Sequence, residues 1–250
     1  MEIQLIRHAT MLIKINEKRF LLDPMFSPKF ALDSVPGVPN TNKNPLTDLP
    51  FESGSLVNVD AVLVTHTHRD HFDNMAIKIL PKDILIFGQP YDANTLIEYG
   101  FTNTKLLQES FVWDDIMIFR TSGKHGTGEI GESMGQVSGF VIRSPHEPSL
   151  YIVGDSIYCD DVAHALDKYH PDITIIFAGA AQFSSGDPIT MTKQDVCSLA
   201  RKAPYTKIIV VHMESWNHCA LSRPELKQYV SKGNLSNQIY VPNDGEIIEF

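Results

Sequence analysis

The chain has 250 residues, is 43% hydrophobic and carries a formal net charge of -9. That much apolar material can fill the core of one undivided domain spanning 1–250, and the acidic balance argues against a general nucleic-acid groove, which draws on clustered Lys and Arg. The cysteines Cys159, Cys197 and Cys219 are odd in number and lack a CxxC spacing, so neither a disulfide framework nor a thiolate zinc knuckle is indicated.

The N-terminus reads as strands. Ile3–Ile6, Met11–Ile15 and Arg19–Leu22 are short and apolar, with Asn16-Glu17-Lys18 as a tight connection and Asp23-Pro24 as the stop. Met1–Arg7 lacks the long apolar segment of a signal peptide and no run reaches membrane-spanning length, so the cytoplasm is the expected compartment. Residues 24–58 are rich in Pro, Asn and Ser and show little periodicity. A loop of that length in a compact domain is usually functional or mobile, and it reads as a flap or wall over a site. Val59–Thr65 is a continuous apolar run, expected as a strand buried on both faces.

Further strands are expected at Ile84–Phe87, Ile116–Phe119, Val137–Ile142, Leu150–Val153, Ile173–Phe177, Ile208–Val211, Gln238–Val241 and Ile247–Phe250. Helices are expected at Ala93–Tyr99, Val162–Tyr169 and Val196–Lys202, the last capped by Thr192 with Asp195 as its capping-box partner. Ser222 caps a final helix that has Pro224 in its first turn.

Directly behind the run at 59–65 stands His66-Thr67-His68-Arg69-Asp70-His71. If the backbone stays extended, His66 and His68 point the same way; Asp70 and His71 follow a turn and can face a second point. That suits two adjacent metal ions, since neutral imidazole and carboxylate are the expected ligands of zinc and similar divalent ions. Surface histidines on a polar loop are the simpler reading. Against it stands their place at the C-terminal end of a buried strand, where sites of α/β folds lie. Three further candidates follow apolar strands: His125 in Gly123-Lys124-His125-Gly126, Asp155 in Gly154-Asp155-Ser156, and His212. Singly, each has an ordinary alternative: a loop histidine, a turn cap, a buried histidine bonded to backbone. Their shared placement at strand ends favours convergence on one site.

This ordered series resembles the metallo-β-lactamase-fold hydrolases over nearly the whole chain, and Leu21-Leu22-Asp23-Pro24 is similar to the early strand-end aspartate of that superfamily. Within it, Asn44-Pro45-Leu46-Thr47-Asp48-Leu49-Pro50 and His212-Met213-Glu214-Ser215-Trp216-Asn217-His218 look closest to the ascorbate-6-phosphate lactonase-like and N-acylphosphatidylethanolamine phospholipase D-like branch. The resemblance implies an α/β four-layer αββα sandwich, two mixed β-sheets flanked by helices. It implies two divalent metal ions, with His66, His68 and His125 on the first, Asp70, His71 and His212 on the second, and Asp155 between them. Histidine at the third motif position (His68), with no flavodoxin-like domain following, favours zinc hydrolysis over redox chemistry, with manganese or iron as alternatives. No inserted nuclease domain and no extra C-terminal helical domain fits into 250 residues, which argues against an RNA-processing nuclease or a glutathione thioesterase.

The expected chemistry is attack by a hydroxide held between the two ions on a small ester, lactone or phosphorylated sugar-like substrate, with Asp70 also orienting the hydroxide. Alternatives are a phosphodiesterase and a metal-containing small-molecule sensor without turnover. Asp23 is a candidate partner for a ligating histidine, or else caps the Pro24 turn. His8 can line or support the site; His218 and Glu214 can protonate a leaving group or contact substrate. Cys159 and Cys219 read as small packing residues. The segment from Gly179 to Asp187, with Phe183, reads equally as a substrate-contacting loop and as an ordinary strand–helix connection. Composition and spacing carry no statement about oligomeric state.

Overall fold

The N-terminal strands fold back on one another in a computed structural model that describes all residues, 1–250. Strands β1 (Glu2–Arg7), β2 (Thr10–Ile15) and β3 (Lys18–Leu22) form an antiparallel meander. Its second turn is Asn16-Glu17, with Asn16 in the left-handed region (φ 51°) that Asn tolerates. The chain then crosses to β4 (Ala61–Leu63), β5 (Leu85–Gly88) and β6 (Thr104–Leu106), which pair in parallel. With β14 (Ile247–Glu249) at the other edge, the first sheet runs β14-β1-β2-β3-β4-β5-β6.

The second sheet starts with the antiparallel strands β7 (Ser110–Trp113), β8 (Ile116–Ser122), β9 (Ser138–Arg143) and β10 (Leu150–Ile152). It continues in parallel through β11 (Ile173–Phe177), β12 (Lys207–Val211) and β13 (Ile239–Tyr240), giving the order β13-β12-β11-β10-β9-β8-β7. Both sheets are therefore mixed, as expected, and each has seven strands.

Three apolar cores bind the layers. The largest lies between the sheets and takes Phe20, Leu22, Leu63 and Phe87 from the first, and Phe140, Ile152, Phe177 and Val211 from the second. Outside the first sheet, Val62, Val64 and Ile86 meet Ala76 of α1 (Asn74–Ile79) and Leu96 of α2 (Ala93–Glu98). Outside the second, Tyr151, Ile176 and Val210 meet α4 (Asp160–Tyr169), α5 (Lys193–Lys202) and α6 (Arg223–Lys232). Neighbouring residues of β4 thus enter different cores, Leu63 one and Val62 the other, which is why its sequence is apolar without alternation. Burying such a side chain contributes about 1.5–3 kcal/mol.

The expected helix caps form: Thr192 and Asp195 make a reciprocal box, and the Ser222 side chain accepts from Glu225 N–H. Four elements lie outside the expectation. Helices α1 and α3 (Gly128–Met134) are short, and α3 contains two glycines and buries nothing. Strands β6 and β7 are three- and four-residue edge strands with few buried side chains. Strands β6 and β7 and helix α3 bury no side chain and α1 buries only Ala76, so no apolar pattern marks them in the sequence. No helix is long and apolar enough to cross a membrane.

Candidate metal centre

The ends of six strands converge on one rim. His8 follows β1, Asp23 follows β3, His66–His71 follow β4, His125 follows β8, Asp155 follows β10, and His212 follows β12. After His68 the chain turns sharply, with the His68 carbonyl accepting from the N–H groups of His71 and Phe72 at 2.9 and 2.8 Å. Helix α1 then starts at once, with Asp73 accepting from Ala76 N–H as its cap. Gly154, before Asp155, has φ 76°, and a Cβ there would meet the Ser138 carbonyl at 2.5 Å, so only glycine brings the chain round. At Gly179 a Cβ would stand 2.3 Å from the His212 carbonyl, which lets the neighbouring strand end approach.

The seven candidate ligands lie together. His66, His68 and His125 form one group able to hold a cation; Asp70, His71 and His212 form a second, joined by His8. Asp155 reaches both: its Oδ2 is 3.4 Å from His125 Nε2, 3.9 Å from His66 Nε2 and 3.2 Å from His71 Nε2, and its Oδ1 is 3.2 Å from His212 Nε2. All are buried except His68, which is partly open to solvent.

The hydrogen bonds decide the tautomers, and these test whether cations fit. His71 Nδ1 lies 2.8 Å from Asp23 Oδ2, an ionisable acceptor, so its proton sits on Nδ1. His125 Nδ1–H donates to the Ile189 carbonyl at 2.9 Å. Thr65 Oγ1 donates to Asp23 at 2.7 Å, which leaves it to accept from His66 Nδ1–H at 3.1 Å. All three rings therefore point Nε2 inward, at carboxylate oxygens and at one another; burial would lower His71, but Asp155, Asp70 and Asp23 raise it well above the ordinary imidazole range, so its Nε2 keeps a proton unless a cation takes that place. His66 Nε2 and Asp155 Oδ1 are buried without a hydrogen-bond partner, and His71 Nε2 faces His212 Nε2 at 3.1 Å. Lone pair against lone pair in a dry site is unfavourable unless protons or cations lie between. The donor set of imidazole and carboxylate fits divalent ions of the zinc type.

The charges agree. Burial alone would push the Asp155 and Asp70 carboxyls up, but the surrounding imidazoles outweigh it and hold both well below the usual carboxylate range. Burial would lower His212, yet Asp155, Cys219 and Asp70 raise it to about 10. Burial lowers His66, His8 and His125, whose neighbours include other imidazoles. For Asp23 burial wins and its carboxyl is raised, against the pull of His71 and Thr65.

Other expected residues divide. Asp23 is completely buried and supports His71 and the Thr65 backbone N–H. His218 is buried, with Nδ1 unpartnered, and burial lowers it to about 4 although Asp70 pulls the other way. Glu214 is corrected: its carboxylate is bound at 2.7 Å by the Arg223 guanidinium and at 2.7 Å by the Arg223 N–H, which occupies it as a helix-end anchor. Cys219 does more than pack, since its Sγ lies 3.8 Å from His212 Nδ1. Cys159 lies 3.7 Å from Ser156 Oγ.

The 24–58 segment is a wall and not a free flap. Arg7 binds the Thr47, Met25 and Ser27 carbonyls, and Thr47 bonds Ser215. Asn217 binds Val35 through both backbone groups, the Asn40 carbonyl and the Asn44 side chain. Ser184 N–H donates to the Gly37 carbonyl, so the Gly179–Asp187 segment braces this wall. At its rim Arg69 lies over the Trp216 ring and donates to the Asp33 carbonyl. The Ile189 carbonyl and the Asn44–Asn217 pair carry no sequence signal, because their partners lie far away along the chain.

A model of the beta-lactamase superfamily domain matches residues 18–213, which include all seven candidate ligands. The chain belongs to that family. It is 38% identical over 254 residues to the protein YddR of Bacillus subtilis (strain 168), covering 100% of both chains. A metal-dependent hydrolase of Anoxybacillus flavithermus (strain DSM 21510 / WK1) is 24% identical over 90% of this chain and 89% of its own. Among solved structures, the isothiocyanate hydrolase from Delia radicum gut bacteria superposes with a TM-score of 0.96 at 34% identity, covering 100% of this chain and 99% of that one. A possible metal-dependent hydrolase from Veillonella parvula DSM 2008 gives 0.95 at 34%, with 99% and 98% covered. Three of these four relatives are named as hydrolases, one of them as metal-dependent and one as a possible metal-dependent hydrolase, on the fold expected from the sequence.

Proposed function

We propose that the chain acts as a single-domain hydrolase using two divalent ions, on a small molecule with an electrophilic carbon: an isothiocyanate, an ester or a lactone. The observation that carries this reading is the set of imidazole Nε2 atoms and ionised carboxylates facing one another around Asp155. His66, His68 and His125 would hold one ion, Asp70, His71 and His212 the other, and Asp155 would touch both. Bound there, zinc or a similar ion supplies Lewis acidity and a source of nucleophilic water at neutral pH.

The chain's own residues do the rest. Asp23 and the Ile189 carbonyl hold the His71 and His125 rings in the tautomers that point Nε2 inward. The wall at 24–58 and the 215–219 turn shelter the rim from water. His218, neutral at physiological pH, offers substrate a hydrogen bond and not a cationic acid's proton. The isothiocyanate reading is supported by the 34%-identical hydrolase of that name. For R–N=C=S, water adds oxygen to the central carbon, the C–N bond breaks, nitrogen takes both protons, and the products are an amine and carbonyl sulfide. The lactone and sugar-phosphate readings are supported by the motif resemblance alone.

The test loads the protein with zinc or manganese and offers alkyl and aryl isothiocyanates, a lactone and ester panel, phosphorylated sugar lactones and a bis-aryl phosphodiester, with the His68→Ala variant in parallel. Turnover of a carbon electrophile that vanishes in the variant supports the reading. Turnover of the phosphodiester alone replaces it with a phosphodiesterase. Two bound metals without any turnover favour a sensor, and failure to take up stoichiometric metal under any loading removes the catalytic proposal.

A further inference from the structure

His8 occupies a costly position. It is the first of two residues, His8-Ala9, that turn β1 into β2, and its φ is 61°. A left-handed conformation at a residue other than glycine costs about 1–3 kcal/mol and persists only where its surroundings impose it. They do so here. The His8 ring is completely buried and lies over His212, ring centroids 3.7 Å apart, and the His8 carbonyl accepts from His212 N–H at 2.9 Å. Trp216 lies 6.3 Å from the same ring. The one polar side-chain atom within hydrogen-bond reach is Asp70 Oδ2, 3.4 Å from His8 Nε2. His8 Nδ1 is buried and has no partner.

The unpartnered nitrogen decides which way the ring is protonated. A neutral imidazole carries one N–H. Were it on Nδ1, a buried donor would stand without an acceptor, at about 1–3 kcal/mol, and the Nε2 lone pair would face a carboxylate oxygen. With the proton on Nε2, the N–H meets Asp70 Oδ2, and only an acceptor is left bare, the more tolerable orphan. This is the reverse of His66, His71 and His125, whose protons sit on Nδ1 and whose Nε2 atoms are free for a cation. The same Asp70 oxygen lies 3.5 Å from His212 Nε2 and 3.7 Å from His71 Nε2, so a third nitrogen that donates to it, from the ring lying against His212, helps fix how it meets the other two.

We propose that His8 is a positioning residue for Asp70: it stands beside the second cation group without joining it, and its Nε2–H holds the Asp70 carboxylate toward His71 and His212. This rests on the reading of Asp70, His71 and His212 as metal-binding residues. It also separates His8 from that group, in which distance alone would include it.

The test compares His8→Phe, which keeps a ring against His212 and loses the donor, with His8→Gln, whose amide nitrogen can replace Nε2–H. Zinc binding is measured by competition with a chromophoric chelator, and the wild-type protein must first take up two ions; if it does not, the two-metal reading fails and the chelator titration shows this before any variant is made. Given two ions, His8→Phe weakens the second by about 10–100-fold, the usual effect of losing a ligand's hydrogen-bond partner, leaves the first within about threefold, and His8→Gln recovers most of the loss. Wild-type affinities in His8→Phe would reduce His8 to packing and overturn the proposal. Loss of one imidazole from the zinc shell of the fully loaded His8→Phe variant, counted by X-ray absorption, would make His8 a ligand and overturn it equally. Should the Phe variant fail to fold, nitrogen-15 spectra of the wild-type histidine rings decide the matter. A proton on His8 Nε2 in the loaded protein sustains the proposal, and a proton on Nδ1 with Nε2 shifted by the metal refutes it.

Discussion

Asp23 shows how much a single buried side chain can carry. It accepts from His71 Nδ1–H, Thr65 Oγ1–H and Thr65 N–H, and nothing else at that point takes its place. An amide would offer one acceptor and one misplaced donor. Asp23→Asn is therefore expected to weaken metal binding by about 10–100-fold, read by chelator competition, with turnover falling in step. His68→Ala removes a ring from the first group and is expected to lower turnover by more than the about 100-fold typical of losing a supporting partner, with one metal lost from the count. Glu214 provides the contrast. With its carboxylate committed to Arg223, Glu214→Gln should leave kcat within about twofold and cost about 1 kcal/mol of stability, a partly exposed charged pair being worth no more. A large loss of kcat with unchanged melting would return Glu214 to the chemistry. The convergence of the candidate ligands was legible because imidazole and carboxylate at apolar strand ends are rarely accidental. The role of Glu214 was not, because Arg223 and Asp244, which hold each other and the turn, lie on later elements.

Among the elements, the 24–58 segment departs furthest from what its composition suggests. Its Pro, Asn and Ser content reads as mobility, yet Arg7, Ser215 and Asn217 pin it along its length. Asn217 makes four side-chain bonds to residues 173–182 positions away. Asn217→Ala is expected to cost about 2–4 kcal/mol, at roughly 1 kcal/mol per bond with some compensation by water. The wall then loosens: KM rises more than kcat falls, and limited proteolysis begins within 33–43. Unchanged KM and protease resistance would show the wall to be held by packing alone. Helices α5 and α6 announced themselves through caps at Thr192 and Ser222, whereas β6, β7 and α3 bury no side chain and so carry no apolar pattern.

At the scale of the whole molecule, the two sheets enclose one dry rim in which charge must be balanced by protons or by cations. In the chelated protein, His212 is raised to about 10 by Asp155, above the roughly 6.5 of an unfolded chain. Its contribution to stability is complete below about pH 6.5 and is lost as pH rises toward 10. Asp70 and Asp155, held below 3.8, contribute above that pH and lose it as pH falls through their lower folded values. The chelated protein is thus expected to melt highest between about pH 4 and 6.5 and lower by pH 10, while metal affinity rises over the same span because cations displace those protons. Melting curves with chelator and with zinc check both signs; a chelated Tm that climbs steadily from pH 6.5 to 10 would count against the buried proton. Saturating zinc, at about 1,000 times its Kd, adds roughly 4 kcal/mol. The sequence alone determined the strand cores, the caps and the candidate donor residues, since these depend on neighbours within a few residues and on side-chain chemistry. The tertiary structure alone decided which nitrogens point inward, that His8 stands beside Asp70, and that the long loop is a pinned wall and not a flap. Those outcomes arise from contacts between strand ends up to about two hundred residues apart, and no local pattern encodes the direction in which such partners meet.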